Sequence, residues 1–129
     1  MVLAAALGLW PAYASEPVNP VGYTPAKQDK FLAPTAIAAA PSGDRLYVAC
    51  EGTGEVLVFD TLSKSVAAHI PVGGSPSGMA LSADGARLYV TCGGPAGTVC
   101  VVDVSKRKVT NRLRVGYQAQ SPVLSPDGR

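Results

Sequence analysis

One histidine, His69, stands in a chain of 129 residues. A single imidazole excludes a multi-histidine metal cluster, and the chain holds no Cys-x-x-Cys-His motif to attach a c-type haem. Charge is scarce as well. Lysine and arginine exceed aspartate and glutamate by only two, which gives no global case for nucleic acid. No apolar run approaches the length that crosses a bilayer as a helix, and no stretch keeps a 3.6-residue period over several turns. The glycine-rich segment Val72-Gly73-Gly74-Ser75-Pro76-Ser77-Gly78 lacks the Lys-Ser/Thr ending of a phosphate loop. Ser42, Ser77 and Ser82 have no positioned base within any motif, so a hydrolase triad has no support.

What the chain does have is repetition. Arg45-Leu46-Tyr47-Val48-Ala49-Cys50 returns 42 residues later as Arg87-Leu88-Tyr89-Val90-Thr91-Cys92. Gly43, Gly85 and Gly128 sit at spacings of 42 and 43. Val58-Phe59-Asp60 matches Val101-Val102-Asp103, and Val72-Gly73 matches Val115-Gly116. The extra residue falls within the turn-rich segment Gly93–Thr98, where insertion disturbs little. A period near 42 is the mark of a repeat architecture.

Each unit reads as four short strands of β-branched and aromatic residues bounded by Gly, Pro, Ser and Asp. The predicted strands of the first unit are Ala36–Ala40, Arg45–Cys50, Glu55–Asp60 and Val66–Val72. Those of the second are Gly78–Ser82, Arg87–Cys92, Val99–Asp103 and Val109–Val115. A third unit starts at Val123-Leu124. Ala83-Asp84-Gly85 forms a tight turn, with Asp bonding the backbone two residues on and Gly taking positive φ. Asp60 and Asp103 are placed to accept N–H groups of Thr61–Ser63 and Val104–Lys106. Because these carboxylates recur with the repeat, they read as turn formers and not as catalytic acids.

Four antiparallel strands in some 42 residues, in tandem, correspond to a β-propeller blade. The fold class is therefore all-β: two full blades, residues 34–74 and 75–117, with a third beginning at 118–129. The motifs Ser125–Gly128, Leu88–Cys92, Val99–Asp103 and Ile70–Gly73 resemble those of the YVTN-type β-propeller repeat family, over about Phe31 to Arg129. Cys50 and Cys92 depart from it, standing where the family has Asn. Ser42 replaces the turn Asp, and Ala119 stands where Pro is expected.

Before the repeats, Val2–Trp10 is apolar and Ala12-x-Ala14 is a small-x-small cleavage pattern. Residues 1–14 thus read as a signal peptide, although no Lys or Arg precedes Lys27. Export to the periplasm or cell surface is the expectation. Residues 15–30, with Pro17, Pro20, Gly22 and Pro25, read as an extended lead-in. Propellers close with about four to eight blades, so the sequence reads as the N-terminal part of a longer product. The alternative is several copies completing a ring.

No catalytic, cofactor-binding or metal residues are assigned. His69 aligns with Arg112 of the next unit and reads as solvated. Cys92 and Cys100 admit two readings: a disulfide across the hairpin, which suits an exported protein, or, with Cys50, small buried thiols. The basic residues Lys106, Arg107, Lys108, Arg112 and Arg114 read as charges blunting the exposed edge of an outermost strand, with a patch for anionic polymer or lipid head groups as the alternative.

The expected function is a binding or scaffold module, with an unidentified protein, polymer or small ligand at one face of the ring. The resemblance points to bacterial surface and periplasmic proteins. It also implies two alternatives. One is the N-terminal part of a periplasmic redox protein, like an amine-dehydrogenase heavy chain or a propeller joined to a c-type cytochrome, with haem in downstream sequence only. The other is a lactonase-like hydrolase.

Overall fold

A computed structural model describes residues 31–128. The signal-peptide and lead-in assignments lie outside the described residues. Eight strands occur in order: β1 Pro34–Ala39, β2 Arg45–Cys50, β3 Glu55–Asp60, β4 Ser65–Pro71, β5 Ser75–Leu81, β6 Arg87–Gly93, β7 Gly97–Asp103 and β8 Lys108–Gly116. They form two four-stranded antiparallel sheets, β1-β2-β3-β4 and β5-β6-β7-β8. Among the described residues there is no helix. The innermost strands β1 and β5 pack close together, while the outer pair β4 and β8 touch little. The sheets therefore diverge outward as neighbouring wedges, which is how propeller blades are arranged about an axis.

The strands start from turns with defined chemistry. Gly43, Gly85 and Gly128 all take positive φ, between +71° and +74°. Asp84 Oδ1 accepts from the Ala86 N–H at 3.0 Å. Asp60 Oδ1 accepts from the N–H groups of Leu62 and Ser63 at 2.9 and 2.8 Å. Asp103 accepts from Lys106 N–H at 3.0 Å and from the Ser105 hydroxyl at 2.6 Å. These carboxylates are turn formers, as their recurrence implied.

The Leu-Tyr-Val motif is apolar on both of its faces because a blade is covered from both sides. Leu88 and Val90 point back at the first sheet and are fully buried, whereas the equivalent Leu46 and Val48 are only half-buried. Tyr47 points forward at the second sheet and is buried, whereas Tyr89 is half-buried. One core thus fills the junction: Tyr47, Val56, Val58, Ile70 and Val72 against Leu88, Val90, Cys92, Cys100 and Val102. Ile37 on the first sheet and Leu113 on the second lie on the outward faces and are exposed.

Two expectations need correction. β5 starts at Ser75, three residues before the predicted Gly78, because Ser75 and Pro76 already pair with Gly93 and Cys92. Val123-Leu124 forms no strand. An inner strand pairs only with the second strand of its own blade, and the described residues hold no such partner for it.

Candidate functional site

The side chains that do more than fill space gather at two places: the junction between the sheets, and the rim where β1 turns into β2, β5 into β6 and β7 into β8.

At the inner edge of the junction, both inner strands carry a β-bulge. The β1–β2 register shifts between Pro34 and Ala36, and the β5–β6 register shifts between Pro76 and Gly78. The residues left over are Thr35 and Ser77, and a bulge re-aims its side chain. The Thr35 hydroxyl donates to the Pro76 carbonyl at 2.8 Å. The Ser77 hydroxyl donates to the Ala119 carbonyl at 2.6 Å. Each blade thus reaches forward to the equivalent backbone position of the next. Sequence reading missed this pair, although Pro-Thr and Pro-Ser at matched positions were the available signal.

At the outer edge the contact runs backward. The Arg112 guanidinium donates to the Val72 carbonyl and lies 3.2 Å from Cys100 Sγ. The Cys92 and Cys100 thiols donate to the carbonyls of Gly73 and Val72 at 3.2 and 3.6 Å. Arg112 is exposed on the edge strand β8, but its guanidinium has a further task. It clasps the linker between the sheets, because its partner across the ladder, Cys100, faces the junction. His69, at the equivalent position, is half-exposed, with Nδ1 3.2 Å from Glu55 Oε2.

Cys50, Cys92 and Cys100 are free and buried. Cys92 faces Thr98 across the ladder, and Cys100 faces Val90. The two thiols are thus diagonal neighbours on one face, not opposite each other as the hairpin suggested. Burial, then the neighbouring Cys100, pushes the Cys92 thiol up to about 11. Diagonal Cα atoms lie about 7–8 Å apart, beyond the usual disulfide span of about 4.4–6.8 Å. Thiol titration of the denatured, unreduced protein should therefore count three reactive groups. A count of one would show that two of the three are bridged, and peptide mapping of the unreduced digest would tell whether they are Cys92 and Cys100.

The rim carries a polar groove. It is lined by Asp44, Arg45, Tyr47 and Asp84, and continues past Gly85 over Arg87, Asp103 and Arg107. Arg45 Nε lies 3.8 Å from Asp44 Oδ2. Among the described residues neither Arg87 nor Arg107 has a carboxylate within ion-pair distance. Burial raises the Tyr47 phenol above its ordinary value, and the Arg45 charge partly offsets this.

The turn carboxylates sit below the usual range. The Ser63 N–H is the main cause at Asp60, the Ser82 hydroxyl at Asp84, and the Ser105 hydroxyl at Asp103. A carboxylate depressed in the folded state stabilises it above the unfolded value of about 3.9, and that contribution is lost as pH falls through the folded value. Denaturant midpoints should thus hold steady down to about pH 4 and then drop. The triple variant D60N/D84N/D103N should show a flatter acid limb, and a profile parallel to the wild type would place the acid sensitivity elsewhere.

Among the described residues no helix is long and apolar enough to cross a membrane, and no three His, Cys, Asp or Glu side chains converge as metal ligands.

No protein-family model and no curated protein matches the chain. Solved structures do. Hydrazine synthase of Kuenenia stuttgartiensis superposes with a TM-score of 0.72 and 28% identity over 84% of this chain. A putative 6-phosphogluconolactonase of Bacteroides fragilis gives 0.65 and 19% over 74%. The β-propeller domain of Cps50 (Swd1) from Myceliophteria thermophila gives 0.62 and 21% over 72%. The chain spans 30% of the length of each. Two wedge-like sheets, latched inside and clasped outside, together with these neighbours, make the architecture that of adjacent β-propeller blades.

Proposed function

We propose that the chain belongs to an exported propeller of the YVTN-repeat type that acts as a binding module and not as an enzyme. One observation carries this reading. The strand side chains facing the junction are committed to packing one blade on the next, whereas the guanidinium groups without carboxylate partners sit on the turn rim. Ligands of rigid repeat scaffolds are held by such turns. A lactone-hydrolysis assay on the protein is expected to show no turnover above background, and turnover that is lost on unfolding would overturn the reading in favour of a hydrolase. The hydrolase alternative draws on the likeness to a putative 6-phosphogluconolactonase.

Export is tested by mass spectrometry of the periplasmic fraction. A mature protein beginning at Ser15 supports it, and an intact Met1 in the cytoplasm would refute it.

A second reading, part of a periplasmic redox protein, is favoured by the 28% identity to a hydrazine synthase. Haem staining of the protein isolated from its natural source separates the two. A covalently held haem would move the function to redox chemistry, and its absence leaves the binding module.

A further inference from the structure

Three guanidinium groups from two different blades line the rim groove. Arg45 and Arg87 are equivalent first residues of β2 and β6, and Arg107 comes from the turn between β7 and β8. Arg107 is held at φ +53°, a left-handed conformation that glycine adopts at lower cost. The equivalent residue of the first blade, Lys64, is held at φ +54°. Both blades thus place a long cation where the backbone favours a small residue, and in the second blade that cation lines the groove.

The lining also contains three carboxylates, which narrows the ligand. Asp44, Asp84 and Asp103 balance the formal charge of the three arginines. The groove therefore has no strong long-range field of the kind that collects an extended polyanion. One oxygen of each carboxylate, Oδ1, is engaged in its own turn. Asp84 is held by Ser82 and Ala86, Asp103 by Ser105 and Lys106, and Asp44 by Ser42. The guanidinium forks of Arg87 and Arg107 have no carboxylate within ion-pair distance among the described residues, and such forks recognise planar or tetrahedral oxyanions at short range.

We propose that this groove binds a compact oxyanion, a phosphate or carboxylate group of a small ligand, gripped by Arg87 and Arg107 with Arg45 at its inner end. The site spans the junction, so it exists only where two blades are packed together. It stands whether the whole protein is a binding module or an enzyme, because it concerns the rim and not the chemistry at the ring axis.

The test is calorimetric titration of the full chain at low ionic strength with two probes, inorganic pyrophosphate and citrate. Saturable binding of one equivalent of either is expected. Pyrophosphate alone would identify a phosphate group, citrate alone a carboxylate, and both the shared oxyanion chemistry. R87Q and R107Q should each weaken binding at least tenfold without lowering the denaturant midpoint, since both side chains are exposed. R114Q removes an equal charge from the outer strand β8, outside the groove, and should leave binding unchanged. Failure of both probes to saturate at millimolar concentration would overturn the proposal. So would a loss in R114Q equal to that in R107Q, which would reduce the effect to diffuse charge.

Discussion

Gly97→Ala is expected to destabilise the chain by upward of about 3 kcal/mol, toward the top of the range for overpacking. Gly97 opens β7 opposite Gly116 at the end of β8. A Cβ there would lie 2.0 Å from the Gly116 carbonyl oxygen and 3.0 Å from the Ala119 amide nitrogen. Both are backbone atoms, so no side-chain rotation relieves the clash. The last pair of the β7–β8 ladder would have to open, and with it the path of the chain to Ala119, which accepts the Ser77 hydroxyl. Gly93→Ala is the control. Its nearest neighbours would be 3.9 Å away, ordinary contact, and gaining a methyl at the last residue of β6 removes part of the entropic penalty of glycine, at most about 0.5–1 kcal/mol. Denaturant midpoints of the two variants should move in opposite directions. Equal shifts would mean that the backbone adjusts at Gly97 far more easily than the packing indicates.

Leu88→Ala should cost about 3 kcal/mol, within the span of buried leucine truncations. The side chain is fully buried, and it lies in the junction core with Tyr47, Val58 and Val102. A cavity there is shared by both sheets, so the variant should lower one cooperative transition and not split off the second blade. Leu62→Ala, at an 85% exposed turn position, should stay within about 0.5 kcal/mol of the parent. A Leu88→Ala transition that separates into two steps would show that the blades fold independently of their junction.

The sequence discloses the strands and turns because one local rule governs each. Asp84-Gly85 and Asp60 hydrogen-bond within a few residues, and the Arg-Leu-Tyr-Val segments are too short and too β-branched to be helices. β2 and β3 accordingly run between the predicted residues, Arg45–Cys50 and Glu55–Asp60. What stayed hidden depends on register. Thr35 and Ser77 break a period-2 pattern by one residue, and nothing local says which strand position is skipped. The six-residue segment between Cys92 and Val99 left the β6–β7 pairing undefined, so Cys100 could not be placed against Val90. Arg112 has the composition of an edge charge. Only the ladder that sets it beside Cys100 reveals that its guanidinium reaches the Val72 carbonyl. The rim groove was equally opaque, since Arg45, Arg87 and Arg107 come together across two repeats and no single repeat contains them.

The forward latches also bear on how fast such an array can assemble. The Thr35 hydroxyl bonds a carbonyl 41 residues ahead, and the Ser77 hydroxyl one 42 residues ahead. The loop that must close is therefore one repeat long at every junction, however many repeats are strung together. Loop-closure entropy rises only slowly with length, and here the loop does not lengthen at all. Contact order relative to chain length accordingly falls as repeats are added. Assembly then proceeds by adding one blade to an existing neighbour, and each addition faces the same entropic barrier as the last.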